Sequence, residues 1–508
     1  MLAPKTHPDS AHLRQSFAQA FPELNQKARP QLPAGTRLAW LNRDLAQEVG
    51  LDPDWLESEA GLAWMTGRAG VGTYAQAYAG FQFGQLSPVL GDGRAQLIGE
   101  LAYPRKSVGE RSASSLVDLH LKGGGRTAFS RPGSDGRSPL TAAWREAVIG
   151  EFLHALNVPS SRALAVFDSQ EKIQRRGPGP EPAGMVLRLA ESHLRVGTFQ
   201  YAQYHCSPEL RARLVRYALE RHYPHLLERE EGKDRGGAEA LALLRGLADR
   251  QAQLVASWQG LGFVHGVLNT DNVAISGQAI DFGPCALIDT FKRGQVFSSI
   301  DRQGRYSYQQ QAGITAWNLA RFAETLLDLI DPEQPHRAIH LATEALSDFE
   351  DLFLDRHREV FAAKLGLRAD LAGQENYRRQ LDGLIEETLT ALEDYALDFT
   401  DFFRSLAEGN CQLPAAAQVA WLEKVNSLRQ AGAVGPEEAR ALMLAHNPAY
   451  IPRNLALAAA LEELEQGRQG PVEQLLEGIR RPLEPRPGWD YLRKPPLGAT
   501  NFVSYCGT

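Results

Sequence analysis

Two polar clusters near the middle of the chain contain the residue types that bind a metal ion. The first is Asn269-Thr270-Asp271-Asn272, and the second, after a short hairpin-like interval, is Asp281-Phe282-Gly283. This order predicts that Asn272 and Asp281 lie at the ends of neighbouring strands. Two hard oxygen donors are enough to hold Mg²⁺ when phosphates supply the remaining ligands. The spacing therefore predicts a magnesium site that a nucleotide completes.

Protein kinases use a similar pair, because the Asn of a catalytic loop and the Asp of an Asp-Phe-Gly turn bind their Mg²⁺. In kinases the catalytic loop also carries an Asp that accepts the proton of the attacking hydroxyl. Here His265 fits the loop, but the base position is Val267, and an isopropyl group cannot accept a proton. A carboxylate stands nearby, at Asp271. Either the protein has lost catalytic activity, or the reacting phosphorus lies elsewhere and Asp271 acts as the base there.

A strand and a helix upstream are predicted to supply a second charged pair. Residues 115–122 alternate as a strand that ends at Lys122, followed by three glycines whose backbone N–H groups can face a phosphate. A helix predicted to begin near Thr141 carries Glu146. Strand lysine followed by helix glutamate is the kinase order, in which the carboxylate holds the lysine over the phosphates. A surface lysine and an exposed glutamate are the alternative for this pair.

Two arginines are predicted near the cleft, where an ordinary kinase has no need of them. Arg188 lies within a predicted strand over 184–190, and Arg195 follows shortly after that strand. Two guanidiniums near the cleft could clamp additional phosphate oxygens, whereas ordinary surface salt bridges are the alternative. Another predicted strand over 161–167 is separated from the first by a Pro- and Gly-rich loop over 175–182.

The composition predicts a large protein with more than one lobe. The chain has 508 residues, of which 43% are hydrophobic and 23% charged, and a net charge of −7. This charge gives no sign of a nucleic-acid or anionic-membrane partner. No apolar run approaches a membrane span, and we expect a cytoplasmic protein without a secretory signal. The four cysteines are widely spaced and form no CxxC, which argues against a zinc site or a disulfide scaffold.

Four regions are predicted from the order of the elements. They are an N-terminal extension (1–70), a kinase-like N-lobe rich in strands (71–200), a helical C-lobe with the catalytic and metal-binding loops (201–430), and a helical and proline-rich C-terminal extension (431–508). The expected fold class is α+β, with the two lobes of a protein kinase. Helices are predicted over 238–260, 314–329, 339–366, 376–408, 415–430 and 436–445.

At these residues the chain resembles the selenoprotein O family of pseudokinase-fold protein adenylyltransferases. The resemblance is spread over almost the whole chain. It rests on the segments YAGFQFGQLSPVLGDGRAQLIGE, LHLKGGGRTAFSRPGSDGR, VLRLAESHLRVGTF, GFVHGVLNTDNVAISGQAIDFGP, DRQGRYSYQQQAGITAWNLARFAE and NPAYIPRNLA. It implies transfer of AMP from ATP to Ser, Thr or Tyr hydroxyls of proteins, with ATP bound upside down relative to kinases. It also implies that Arg188 and Arg195 hold the buried γ-phosphate.

The resemblance further assigns individual roles. The residues implied to contact the nucleotide are Gly91, Gly93, Arg94, Lys122, Asp135, Gly136, Arg188, Arg195 and Asp281. Asp271 is implied as the proton acceptor, Asn272 and Asp281 as ligands of Mg²⁺ or Mn²⁺, and Glu146 as the residue that orients Lys122. UTP is a possible second nucleotide. Cys506 resembles the selenocysteine or cysteine near the end of family members, although the segment 295–299 has serines where some members carry a partner cysteine.

Three functions follow from this pattern. The first is AMP transfer to protein hydroxyls. The second is an ordinary phosphotransferase in which Asp271 is the base, and the third is an inactive nucleotide-binding scaffold, which only Val267 favours. An inactive scaffold would have no need for both predicted metal ligands.

Overall fold

A computed structural model describes residues 13–69, 72–104, 114–175, 179–227, 235–495 and 502–504. Cys506 lies outside these residues. The N-terminal part is rich in strands and the C-terminal part is mainly helical, so the predicted α+β class is confirmed. The kinase-like arrangement of two lobes and the four region boundaries stay predictions.

The described strands fall mostly within the first 190 residues. They are β1 (Leu13–Arg14), β2 (Asn25–Lys27), β3 (Arg37–Leu41), β4 (Tyr74–Gln76), β5 (Gly80–Gln82), β6 (Gln85–Ser87), β7 (Ala95–Pro104), β8 (Ser114–Lys122), β9 (Ser138–Pro139), β10 (Arg162–Gln174), β11 (Pro180–Ala190), β12 (Phe263–Val264) and β13 (Ala286–Leu287). Among them, β2-β4-β7-β8-β11-β10-β3 form one antiparallel sheet in that order, with β1 paired to β7 and β9 to β11. The sheet thus includes strands from the first 70 residues.

Helices dominate from residue 196 onward. The helices are α1 (Ser16–Ala20), α2 (Arg43–Glu48), α3 (Pro53–Leu56), α4 (Glu59–Met65), α5 (Leu140–Ala155), α6 (Val196–His205), α7 (Pro208–His222), α8 (Pro224–Leu227), α9 (Arg235–Leu261), α10 (Gln311–Glu324), α11 (Leu327–Ile330), α12 (Pro335–Ser347), α13 (Phe349–Leu365), α14 (Glu375–Asp394), α15 (Phe399–Ala407), α16 (Ala415–Ala431), α17 (Pro436–His446), α18 (Asn454–Glu465) and α19 (Gly470–Ile479). Each helix predicted from periodicity corresponds to one or two of these. None of the described helices is long and apolar enough to cross a membrane.

Two local predictions are corrected. The loop predicted over 175–182 is shorter, because β11 already begins at Pro180 and pairs with the end of β10. The segment between Asn272 and Asp281 does not form two neighbouring strands. Its backbone makes single bridges to two different partners, Ala274 to Arg195 and Ala279 to Ser160, so no ladder can extend.

Helix α5 connects the sheet to the rest of the molecule. It packs against β10 and β11 on one side and against α18 and α19 on the other. Trp144 and Phe152 are fully buried in the core that α5 shares with the long helix α9. Because the backbone of α5 is fixed on both sides, the position of Glu146 on its second turn is fixed as well.

The C-terminal extension is tied to the body by a buried arginine. The Arg453 guanidinium donates to Asp289 Oδ1 and to Asp398 Oδ2, each at 2.7 Å, and its side chain is fully buried. Gln469 also donates to the backbone carbonyl of Ala39, at 2.8 Å. The extension therefore contacts both the helical region and the strand-rich region.

A buried lysine gives a prediction about stability. Lys364 on α13 donates to Asn447 Oδ1 at 2.9 Å and lies 4.3 Å from the ring centroid of Phe403, and burial lowers its pKa to about 7. The unfolded chain holds this proton up to a pKa of about 10.4. Unfolding therefore takes up a proton between these values, and the free energy of unfolding rises with pH, by about 2 kcal/mol from pH 7 to pH 9.

Lys364→Met should remove this contribution. We expect the variant to gain stability over the wild type at pH 7, and the gap to narrow at pH 9, in urea unfolding followed by circular dichroism. Lys424→Met is the matched control, because Lys424 is exposed and pairs with Glu387. An unchanged gap between the two pH values would contradict the prediction.

Candidate active site

Asp281 is the point at which three cationic side chains meet. Its Oδ1 accepts hydrogen bonds from Lys122 Nζ and Arg188 Nη1, both at 2.7 Å, and its Oδ2 accepts from Arg195 Nη1 at 3.0 Å. Burial alone would raise the pKa of Asp281, but Arg188, Lys122 and Arg195 outweigh it and hold the pKa well below its usual range. The lowered pKa favours the ionised carboxylate. Asp281 also adopts a left-handed backbone conformation, with φ of 64°, which is rare for a residue other than glycine.

The sheet and α5 bring the cations to this point. Lys122 is the last residue of β8, Arg188 lies near the end of the neighbouring β11, and Glu146 projects from α5. Lys122 contacts Glu146, and Arg188 Nη1 lies 3.3 Å from Glu146 Oε2. Lys122 and Arg188 therefore share the carboxylates of Glu146 and Asp281, whereas Arg195 pairs with Asp281 and not with Glu146. All three cations are buried or largely buried. Such a group can bind further negative charge, as phosphate oxygens would supply.

A second layer holds the two arginines in place. Arg188 donates from Nε to His120 Nδ1 at 3.3 Å, and His120 Nε2 lies 3.0 Å from Asp92 Oδ2. Since Nδ1 accepts, Nε2 carries the proton and donates to Asp92. Burial lowers the pKa of His120, which keeps the ring neutral. The Asp92 carboxylate also approaches Arg195, at 3.9 Å.

Sequence reasoning missed both members of this second layer. The available signal was a histidine in β8 on the same face of the strand as Lys122, and an aspartate between the glycines of the turn Gly91-Asp92-Gly93-Arg94. Each is completely or almost completely buried. A buried polar side chain needs a partner.

Asp271 lies in the loop next to this cluster. It belongs to a 3₁₀ turn, Thr270–Asn272, and Arg195 Nη1 donates to its backbone carbonyl at 2.8 Å. Its Oδ1 is buried and has no hydrogen-bond partner within the described part of the chain. Burial raises the pKa of Asp271 to about 6, against the opposing charge of Arg195. A carboxylate with an unused oxygen and a pKa near neutrality is suited to accept a proton.

Gly80 lets the backbone of the β5–β6 hairpin approach the Asp271 carboxylate. A Cβ atom on Gly80 would lie 2.4 Å from Asp271 Oδ1, so only glycine fits there. Gln82, two residues on, places its Nε2 3.5 Å from Asp271 Oδ2. The carboxylate is thus enclosed on the side of the β5–β6 hairpin.

Asn272 and Asp281 can supply oxygen ligands to a metal ion. Asn272 Nδ2 donates to the backbone carbonyl of Val267 at 2.8 Å, which fixes the amide and leaves its Oδ1 free to coordinate. His265 links the two loops, with Nε2 2.9 Å from the Ile280 carbonyl. In the part of the chain that the structure describes, no group of three or more His, Cys, Asp or Glu is arranged to hold a metal ion. An amide oxygen and a carboxylate are the kind of donors that a hard cation such as Mg²⁺ takes, and phosphates would provide the remaining ligands.

The remaining predicted residues line two adjoining turns. Gly91 has φ of 73° and its Cα faces the ring of Phe129, and the Arg94 carbonyl accepts from the Gly123 amide at 2.7 Å. Gly93 lies over the Phe129 carbonyl, and Gly136, with φ of 69°, lies against the backbone of Gly125.

Asp135 has contacts of a different kind from the other predicted residues. Its carboxylate accepts two hydrogen bonds from Arg175, at 2.8 and 2.9 Å, and these hold the pKa of Asp135 below its usual range. Within the described residues, the Asp135 carboxylate bonds to Arg175 and to the Arg137 amide and not to the cluster around Asp281. Its role toward a nucleotide, like those of the other site residues, stays a prediction.

Comparison with known proteins decides the family. A family model described as "Protein adenylyltransferase SelO" matches residues 11–477. The chain belongs to the SelO family. Similar proteins named "Protein nucleotidyltransferase YdiU" are found in Geobacillus kaustophilus (42% identity, 97% of this chain and 98% of the relative) and Chromobacterium violaceum (40% identity, 96% and 100%). A third, from Corynebacterium efficiens, is 40% identical over 99% of this chain and 98% of its own length.

Membership of the SelO family confirms the enzyme class predicted from the sequence. The chain is a nucleotidyltransferase, and one of its substrates is a nucleotide. The alternative of an inactive scaffold does not match the family description, which names an adenylyltransferase. Cys206, Cys285 and Cys411 are free thiols, of which Cys285 is buried, and the predicted relation of Cys506 to family members falls outside the described residues.

Proposed function

We propose that this SelO family member transfers AMP from ATP to Ser, Thr or Tyr hydroxyls of protein substrates. The observation that carries the proposal is the meeting of Lys122, Arg188 and Arg195 at Asp281, beside a carboxylate, Asp271, that has an unused oxygen. A kinase places one lysine over its phosphates. Two additional buried arginines give this site the charge to hold the β- and γ-phosphates and to leave the α-phosphorus facing the acceptor.

The protein residues would divide the chemistry between them. Asp271 accepts the proton of the acceptor hydroxyl, whose oxygen attacks the α-phosphorus. The bond from that phosphorus to the bridging oxygen of the β-phosphate breaks, and pyrophosphate leaves with the bonding electrons. Lys122, Arg188 and Arg195 stabilise the charge on the leaving group, and electrostatic stabilisation of this kind is usually the largest contribution to rate.

Asn272 and Asp281 would hold Mg²⁺, or Mn²⁺, together with phosphate oxygens. When bound, the ion supplies positive charge at the phosphates. Glu146 positions Lys122, and the turns at Gly91–Arg94 and Gly136 lie beside the strand that carries it. The strand lysine, the helix glutamate and the two loops are those of a kinase-like architecture, which is part of this proposal.

Labelled ATP tests the proposal directly. The chain is incubated with protein acceptors and Mg²⁺, and with ATP labelled either at the α- or at the γ-phosphate. We expect label in protein from α-labelled ATP and none from γ-labelled ATP. Label from the γ-phosphate alone would mean a phosphotransferase, and absence of both would mean a nucleotide-binding scaffold. A parallel reaction with α-labelled UTP measures the preference for the base.

A further inference from the structure

The β5–β6 hairpin stands apart from the main sheet and rests on the catalytic loop. The Phe81 amide donates to Thr270 Oγ1 at 2.8 Å, and the Phe83 amide donates to Asn269 Oδ1 at 3.2 Å. Within the described residues these two strands pair only with each other. The loop that carries Asp271 therefore fixes the position of the hairpin tip.

The tip of this hairpin has an unusual sequence for its conformation. Phe83 and Gly84 both have positive φ, 51° and 83°, as the two central residues of a type I′ turn do. Asn, Asp or Gly is favoured at the first of these positions, and a bulky aromatic residue there is strained. Residues in strained conformations cluster at functional sites. Phe83 is nevertheless 37% exposed.

Aromatic and arginine side chains continue the surface next to the tip. The Phe83 ring lies 5.2 Å from that of Tyr306, and the ring of Phe81 lies 5.4 Å from Trp317 on α10. Leu86, which is opposite Phe81 in the hairpin, is 37% exposed. Trp, Tyr and Arg are the residues that most often dominate binding at protein interfaces.

Two arginines give this surface a positive charge. Arg305 stacks on Trp317, with its Cζ 4.8 Å from the ring centroid, and lies beside Gly84. Arg131 also contacts the hairpin, where it donates to Gln82 Oε1 at 3.1 Å. Neither guanidinium pairs with a carboxylate from the residues that the structure describes. Both can therefore bind a carboxylate from another molecule.

We infer that the surface formed by Phe83, Leu86, Arg305 and Trp317 docks the acceptor protein. The occupant is a segment in which an apolar side chain and a carboxylate lie within a few residues of the acceptor hydroxyl. The apolar side chain packs on Phe83 and Leu86, and the carboxylate pairs with Arg305. Because the hairpin contacts Asp271 through Gly80 and Gln82, a segment bound there has its hydroxyl next to the proton acceptor. This inference rests on the proposed function, since it names the acceptor for that reaction.

Matched peptides test the inference. The first peptide carries one hydroxyl residue flanked by leucine and aspartate, and the second carries serine and lysine at the same positions. Each is made with Ser, Thr or Tyr as the acceptor and is offered with α-labelled and with γ-labelled ATP. We expect kcat/KM for the leucine and aspartate peptide to be higher by about tenfold, the factor that 1.4 kcal/mol gives.

Variants of the docking surface test whether its residues cause the preference for the leucine and aspartate peptide. Phe83→Asn, which suits the turn, and Leu86→Ser should raise KM for the first peptide about tenfold and leave release of AMP from ATP without acceptor unchanged. Arg305→Glu should move the preference toward the lysine peptide. Leu354→Ser and Arg379→Glu are the controls, because Leu354 is 43% exposed on α13 and the Arg379 side chain is 74% exposed on α14.

The two proposals fail separately in this experiment. Which peptide is labelled tests the docking surface, whereas the phosphate from which the label comes tests the proposed function. Equal rates for both peptides, labelling of neither peptide while protein acceptors are labelled, or a preference that survives Arg305→Glu would overturn the docking surface. Labelling from γ-labelled ATP alone would overturn AMP transfer, and the preference between the peptides would still decide the docking surface.

Discussion

Replacing Asp281 with asparagine is expected to slow AMP transfer by on the order of 10³-fold. Asparagine has the same size, but it removes the charge that three cations share and one of the two oxygen ligands proposed for Mg²⁺. The loss should appear in kcat, measured with α-labelled ATP at saturating Mg²⁺. Raising the Mn²⁺ concentration should restore only part of it.

The same change should also lower stability. Lys122 and Arg188 would retain Glu146, whereas Arg195 would retain only Asp92, at 3.9 Å. Breaking a buried ion pair by removing one partner costs about 3–5 kcal/mol. The melting temperature should therefore fall, and inorganic pyrophosphate should raise it again by supplying negative charge to the three cations. Asp168→Asn is the control, because Asp168 pairs with Arg37 outside the cluster. Full activity of Asp281→Asn would remove Asp281 from the mechanism.

Much of the site could be predicted from local patterns. Alternation in β8 gave the strand that ends at Lys122, and the helical segment after residue 140 gave α5 with Glu146. These predictions succeeded because apolar side chains recur at a short, characteristic spacing in a strand and in a helix. The proximity of Lys122 to Asp281, which is 159 residues away, followed only from the resemblance to a known order of residues.

The second layer and the hairpin could not be predicted in this way. His120 meets Asp92 and Arg188 only because β8 pairs with β7 on one side and with β11 on the other, in one register. Register and non-local hydrogen bonds are set by the packed sheet, not by the residues next to His120 in sequence. The hydrogen bonds that hold the β5–β6 hairpin against Asn269 and Thr270 join residues almost 190 positions apart. The local sequence therefore carries no signal of this contact.

Replacing Asp271 with asparagine is expected to lower kcat by about 10²–10⁴-fold, the usual contribution of general base catalysis. The amide cannot accept the hydroxyl proton, yet it keeps the shape that fits against Gly80 and within reach of Gln82. Nucleotide binding should change little, because the cations that would hold the phosphates meet at Asp281 and not at the Asp271 side chain. KM for ATP and the affinity for a non-hydrolysable ATP analogue should therefore stay close to the wild type.

Asp271→Glu separates proton transfer from simple charge. It restores a carboxylate, but its extra methylene group has no room, since the Gly80 backbone already lies against the Asp271 carboxylate. We expect Asp271→Glu to remain well below the wild type in kcat, in spite of its charge. If instead Asp271→Asn kept wild-type kcat, Asp271 would be a structural residue and the proton would have to leave by another route. If both variants lost ATP affinity together with kcat, the side chain would act in nucleotide binding. Only loss of kcat alone assigns Asp271 to the proton, because a residue that merely shapes the loop would alter KM as well.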